Sequence, residues 1–245
     1  MPTKLDLTVV IPTLNEENDL PACLESINSL GAEALVLDSG STDKTKEIAK
    51  KFRARFETHP FKNFSDQRNY ADSLVDTTWI LSIEADVTIS PLLAKEIKAT
   101  LPKTDRSAFF IPRLNTIWRK AIWHSDWGPK EDTHIWLYRK GSGSWQSHVH
   151  EEYSLAKGTS GKLNNLLIHH NYDTISEFIA KINSYSEYAS NQGVSYSFWW
   201  GMRDFCKRYI FKLGFLDGYH GFFLCYLQSI YYHTLFVKNY LKKQT

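Results

Sequence analysis

The sequence predicts an α/β protein: a mostly parallel sheet with helices on both faces, followed by a helical, aromatic-rich C-terminal region. Two observations predict this. Over residues 5–101 short β-branched runs alternate with stretches of helical apolar spacing. Strands separated by single helices of that length imply a parallel, doubly wound sheet covered on both sides. Composition then shifts near Gly193. Residues 195–245 carry seven Lys/Arg against two Asp/Glu and sixteen Phe, Trp and Tyr. We therefore expect one domain over residues 1–194 and a helical tail over 195–245.

The elements follow in order. "LTVVIPT" (7–13) is a β-branched strand stopped by Pro12, after which Leu20, Cys23, Leu24 and Ile27 recur at helical spacing. "ALVLD" (34–38) is a second strand, and "STDKTKEIAKKF" (41–52) a second helix with its capping residues among Ser41–Asp43. "RARFET" reads as a third strand and "SDQRNYADSLV" as a helix. "WILSI" (79–83) is a fourth strand, and "SPLLAKEIKATL" (90–101) is a helix with proline in its first turn.

The chain has 245 residues and a formal net charge of +2, enough length to bury a full core and too little charge bias to suggest nucleic acid as a partner. Three cysteines (Cys23, Cys206, Cys225), without metal-ligand spacing, point to a reducing compartment. The N-terminus shows no signal-peptide pattern, so a cytoplasmic location is expected.

In a doubly wound sheet ligands bind outside the carboxyl ends of the strands. Here those exits carry Asn15 and Glu16, then Asp38, then Glu84 and Asp86. There is no GxGxxG or GxxxxGK[ST] loop to cradle bare phosphate. A rim of carboxylates suits phosphates only with a divalent cation between them, since Mg²⁺ or Mn²⁺ is held by one or two carboxylates plus substrate phosphate. Taken singly, Asp38 is more readily a turn or cap residue and Glu84 a surface turn. Acids at several exits of one sheet favour a site.

The stretches "VVIPTLNEE" (9–17), "VLDSGSTDKT" (36–45), "QRNYA" (67–71) and "LSIEAD" (81–86) resemble the family 2 glycosyltransferases of the GT-A (Rossmann-like) fold. The likeness is greatest to small bacterial members acting on lipopolysaccharide core and related surface glycans, and it continues through residues 132–152 and 215–233. It implies a nucleotide-sugar donor, a UDP-sugar, a divalent metal, and inversion at the anomeric carbon. By position it places Pro12, Thr13, Asn15 and Glu16 beside the nucleoside and Asp38 on the base. Arg68 falls near the donor phosphates or sugar. The family's DxD motif falls on Glu84-Ala85-Asp86, with Asp86 on the metal and Glu84 toward ribose or sugar. Glu stands where Asp is usual, and Val87 where a further acid is usual.

An inverting transfer needs a base for the acceptor hydroxyl. "GPKEDTHIWLYRK" offers Glu131 and Asp132, and "WQSHVHEEY" offers His148, His150, Glu151 and Glu152. Asp132 is the first choice and Glu151 the second. The resemblance makes His150 a third metal ligand. Trp118, Trp123 and Trp127 cap the sheet or form a platform for a sugar ring.

Residues 173–193 read as an amphipathic helix with a Thr174–Glu177 capping box, Ile175, Phe178, Ile179 and Ile182 on one face, and Gly193 at its end. Residues 218–237 contain no Asp, Glu, Lys or Arg but hold histidines, a glutamine and many tyrosines, and they are flanked by basic residues. That mixture suits an in-plane segment on an anionic membrane, here the cytoplasmic face of the inner membrane, with packing onto the catalytic domain or a twin subunit as the second reading and a spanning helix as the last. A glycan or glycolipid acceptor would be met there. The rival readings are a nucleotide-sugar-binding scaffold with a weakened site and a sugar nucleotidyltransferase.

Overall fold

The computed structural model describes residues 5–146 and 151–244. The chain runs β1 (Leu7–Thr13), α1 (Leu20–Asn28), β2 (Glu33–Asp38), α2 (Thr45–Lys51), β3 (Arg55–Thr58), α3 (Phe64–Ser73), β4 (Trp79–Ser82), β5 (Val87–Ile89) and α4 (Pro91–Thr100). It continues through β6 (Ala108–Ile117), β7 (Lys120–Ala121), β8 (Thr133–Arg139), β9 (Gly143–Gln146), β10 (Glu152–Leu155), β11 (Ser160–Lys162) and β12 (Leu167–Tyr172). Helices α5 (Ile175–Asn191), α6 (Trp200–Cys206) and α7 (Gly218–Lys242) follow. Two compact units result: Met1–Arg113 with Thr133–His169, and Leu114–Asp132 with His170–Thr245. Both sides of Gly193 thus fall in the second unit.

In the first unit the strand order is β3-β2-β1-β4-β8-β6-β12-β5. The β3-β2-β1-β4 half is parallel, in register that sets Thr13 opposite Asp38 and Val10 opposite Ser82. The exits of β1, β2 and β4 therefore share one rim, as the alternation of strand and helix requires. Beyond β4 the pairing is mainly antiparallel: β8 lies against β4 and β6, and β12 against β5, while short β11 runs parallel to β6. In this half a helix, α4, stands only between β5 and β6, and the strands from β6 to β12 follow one another without an α-helix.

Local chemistry explains the helices. α1 starts with Pro21 in its first turn and buries the expected Leu20, Cys23, Leu24 and Ile27. Asn63 caps α3 by accepting from the Asp66 N–H, and Ser90 caps α4 by accepting from the Leu93 N–H. The core is the strand interior, with Val9, Ile11, Leu35, Leu37, Ile80 and Leu81 fully or almost fully buried. Tyr138 on β8, also fully buried, donates to both oxygens of Asp72 at 3.0 and 2.9 Å and accepts from the Trp145 indole at 2.8 Å. Burial pushes the Asp72 carboxyl up to about 7.

In the second unit Ile117, Ile122, Phe178, Ile182 and Leu224 form a separate small core, and α5 and α6 both pack on α7. The capping box of α5 is present with both of its hydrogen bonds. Its apolar face is narrower than the sequence implies: Phe178 and Ile182 are buried, while Ile175 and Ile179 are exposed. Gly221 is required where α7 passes the preceding turn, because a Cβ there would meet the Gly214 carbonyl at 1.9 Å. Among the described residues no helix is long and apolar enough to cross a membrane.

The Tyr138 hydroxyl donates to both Asp72 oxygens, with the Trp145 indole close by. Tyr138→Phe removes that donor and should lower unfolding free energy by about 1–3 kcal/mol in urea titration. An unchanged midpoint would show that Asp72 finds another partner.

Candidate active site

The rim is built from two interlocked loops. Asn15, held at a positive φ of 57°, donates its N–H to Ser41 Oγ at 2.7 Å and accepts from the Thr42 N–H at 2.9 Å. The next two amides continue the pattern, Glu16 N–H to Thr45 Oγ1 and Glu17 N–H to Asp43 Oδ2, each 2.9 Å. Asp38 is buried at the end of β2. Its Oδ2 accepts from the Gly40 and Ser41 N–H groups, and its Oδ1 from the Ser41 and Thr13 hydroxyls. Both of its oxygens are thus occupied by its own turn and by β1. Pro12 and Thr13 form the last turn-out of β1, opposite Leu37 and Asp38.

Glu16 is half-buried beside this rim. Burial, and then the negative charges of Asp86, Asp19, Asp43 and Glu84, push its carboxyl up to about 7.

The centre of the site is Arg68, on the buried face of α3. Its Nη1 donates to Ser82 Oγ at 2.7 Å, its Nη2 to Glu84 Oε1 at 3.2 Å, and its Nε to Glu151 Oε1 at 3.0 Å. The guanidinium lies over the Trp145 ring, 4.5 Å from its centroid. Arg68 and Glu151, assigned separately from the sequence to donor and acceptor, are therefore an ion pair with each other. Glu84 is clasped a second time, by Arg113 Nη1 at 3.0 Å to Oε2. Ala85 is buried beneath it.

Asp86 meets His169, whose Nε2 lies 3.0 Å from Oδ2. Burial opposes ionisation of Asp86, but the hydrogen bond and charge of His169, with Arg113, outweigh it and hold the carboxyl below its ordinary value. Among the described residues its other oxygen, Oδ1, is buried with no hydrogen-bond partner. One donor atom each from Glu84, Asp86 and His169 lies within 4.8 Å of the others. Two carboxylates, one with an uncommitted buried oxygen, together with an imidazole fit a divalent cation. His169 was not among the sequence candidates. The available signal was its place in "LIHHNY", where it alternates with Leu167 on one face of a strand. His150, the expected third ligand, lies outside the described residues, as does His148.

Asp132, the favoured base, belongs to the second unit. It is buried immediately before β8 and accepts from Asn115 Nδ2 at 2.8 Å. The same amide donates to the Trp127 carbonyl at 2.8 Å, while Asn171 donates to Asn115 Oδ1 at 3.1 Å. Glu131 instead pairs with Lys212 at 2.6 Å. The three tryptophans differ: Trp118 packs edge-on against Phe178, Trp127 lies under the Arg208 guanidinium, and Trp123 is half exposed.

Comparison with known proteins agrees on the family. The sequence profile of Glycosyl transferase family 2 matches residues 8–210. An uncharacterized glycosyltransferase of Rickettsia typhi is 28% identical over 236 residues, covering 87% of this chain and 80% of its own. A lipopolysaccharide core biosynthesis glycosyltransferase, LpsC of Rhizobium meliloti, is 27% identical over 201 residues, covering 78% and 73%. Among solved structures, S. aureus TarS 1–349 in complex with UDP-GlcNAc aligns at TM-score 0.48 and 14% identity, over 74% of this chain and 66% of that one. Mycobacterium tuberculosis glucosyl-3-phosphoglycerate synthase with Mn²⁺, UDP-glucose and phosphoglyceric acid aligns at TM-score 0.38 and 24% identity, and the aligned part spans 43% of its length. With a profile match across most of its length, the chain belongs to glycosyl transferase family 2.

Proposed function

We propose that this family member is an inverting transferase that takes a sugar from a UDP-sugar and delivers it to a hydroxyl of a lipopolysaccharide-core or related surface-glycan acceptor. The acceptor class is suggested by the similarity to LpsC. The observation that carries the catalytic part is the cluster of Glu84, Asp86 and His169, one donor atom of each within 4.8 Å of the others, in which one Asp86 oxygen has no hydrogen-bond partner among the described residues.

Asp86 and His169 are the residues that would hold a Mg²⁺ or Mn²⁺ ion. When bound, the ion offsets charge on the departing diphosphate. The loop residues Pro12, Thr13, Asn15 and Glu16, with Asp38, are assigned to the nucleoside. Glu84, fixed by two arginines, is assigned to the donor's ribose or sugar. Transfer is one displacement: the acceptor oxygen bonds to the anomeric carbon, the bond to the diphosphate oxygen breaks, and Asp132 takes the hydroxyl proton. Its hydrogen bond from Asn115 orients it for that role. Glu151, engaged by Arg68, serves better to hold that arginine than to accept a proton.

The second unit supports a membrane-surface role. Trp199, Phe211 and Tyr219 are 74%, 80% and 83% exposed, and Ile210, Leu216 and Phe223 are exposed near them in the chain. Exposed aromatic and aliphatic side chains on a net-basic segment suit the interface of an anionic leaflet, with a lipid-linked acceptor.

Three outcomes are expected. Asp86→Asn should weaken Mn²⁺-dependent UDP binding in calorimetric titration by more than the roughly tenfold to hundredfold that loss of an outer-shell partner costs a metal site; unchanged affinity rejects the ligand assignment. Asp132→Asn should slow transfer by roughly 10²- to 10⁴-fold with UDP affinity retained. UDP binding in the native protein with no turnover on any acceptor extract would instead identify a binding protein. Finally, Glu16 has a folded-state carboxyl near 7 against an ordinary value of 4.5. Between these values the folded state keeps a proton that the unfolded state has lost, so stability falls as pH rises through this window and levels off above it. Asp72, also raised to about 7, adds a slope of the same sign, so Glu16→Gln should reduce the slope in denaturant titrations across pH 4–8 without removing it, and an unaltered slope would assign it to another group.

A further inference from the structure

The segment 123–132 makes many of its polar contacts with residues 204–217. Asp217, buried, accepts the N–H groups of Trp123 and His124 at 3.1 and 2.9 Å and pairs with the His124 ring at 3.2 Å. The Ser125 N–H donates to the Lys212 carbonyl at 2.8 Å. Lys212 pairs with Asp126 and Glu131. Arg208 reaches Asp126 at 2.6 Å and Asp204 at 2.7 Å, with its guanidinium 4.8 Å from the Trp127 ring centroid.

These contacts come from an unusual piece of backbone. Lys207–Phe211 is a π-helical turn, closed by the Lys212 N–H to the Lys207 carbonyl at 2.9 Å. Leu213 then takes a left-handed φ of 60°, and a Cβ at Gly214 would crowd the Arg208 carbonyl at 2.9 Å. Such insertions recur at functional positions because the extra residue re-aims neighbouring side chains. Here Arg208 and Lys212 both end on the 126–131 stretch.

Trp127, which Arg208 covers, offers its carbonyl to Asn115, and the same Asn115 amide holds Asp132. We infer that Arg208 is a positioning residue for the proton-accepting Asp132, acting through Trp127 and Asn115, with Lys212 and Asp217 fixing the rest of the loop. This rests on Asp132 being the base. A misplacement of about 1 Å at such a group costs on the order of a hundredfold in rate, so a contact two residues removed is enough to control turnover.

The test uses full-length protein with Mn²⁺, UDP-glucose, UDP-galactose and UDP-GlcNAc as donors, and a mixed lipopolysaccharide-core oligosaccharide as acceptor probe. Arg208→Gln should lower kcat roughly tenfold to a hundredfold with donor KM unchanged, and should add nothing to the loss in Asp132→Asn, since both act on one group. In hydrogen exchange it should expose amides 123–128 and leave those of α5 protected, a reading that needs no turnover. Lys212→Gln, at a more accessible site, repeats the test if Arg208→Gln folds poorly. Additive losses, or unchanged exchange at 123–128, overturn the inference. An active Asp132→Asn would reject the base assignment, while the exchange result reports separately on the clamp.

Discussion

A guanidinium sealed from water dictates the rest of the first unit. Arg68 has only 3% of its side chain exposed, and a buried cation is tolerated only when its charge and its donors are met. They are met by Ser82, Glu84 and Glu151, which come from the end of β4, the loop beyond it, and the segment before β10. One side chain on α3 therefore ties three stretches to a common point. Trp145 and Trp136 supply the flat walls around it, and Arg113, also stacked on Trp136, completes the hold on Glu84. This gives glutamate in the first acidic position a physical reason. Its carboxylate spans two guanidinium groups; aspartate would pull it back by about one C–C bond, roughly 1.5 Å, too far to keep both contacts near 3 Å.

The same economy shapes the loops at the strand exits. Asn15, Ser41, Thr42, Asp43 and Thr45 exchange hydrogen bonds across the two loops, and the four donors to Asp38 come from its own turn and from Thr13. Much of the residue identity in "TLNEE" and "LDSGSTDKT" is accounted for by turn chemistry, with backbone amides satisfied by short polar side chains. A ligand meeting this rim finds it already assembled. Asp86 is different. Among the described residues one of its oxygens is left without a hydrogen bond, and that oxygen, lying with Glu84 and His169, suits a cation.

Legibility in the sequence followed how local each signal was. The parallel strands, the apolar spacing of α1, the start of α4 at Ser90 and Pro91, and the α5 capping box depend on residues within a few turns or one strand, and each was readable there. So were the acids at the strand exits, because chain direction alone puts them on one rim. The partners of those acids were not. His169 reaches Asp86 from 83 positions away, through the antiparallel pairing of β12 with β5, and Glu151 reaches Arg68 from as far. Neither pairing has a signal within its own window. The α5 face failed for a related reason: helical spacing reports which residues share a side, not how wide a neighbour covers it, and of the four expected apolar residues Phe178 and Ile182 are buried while Ile175 and Ile179 are not.

The change in composition near Gly193 invites treating everything beyond it as an appendage, and the packing argues otherwise. Leu224 of α7 closes a core with Ile117, Ile122, Phe178 and Ile182, all of which precede Gly193. Asp217 and Arg208 hold the backbone and side chains of residues 123–127. Ser190 and Asn239 bond across α5 and α7. Removing residues 194–245 would strip the cover from Phe178 and Ile182 and the charges from the loop before Asp132 together. Loss of membrane binding after such a cut would therefore not separate an anchor from a structural support. Substitutions confined to outward side chains such as Phe211 and Tyr219, which are exposed and outside the buried set of that core, isolate the surface from the scaffold.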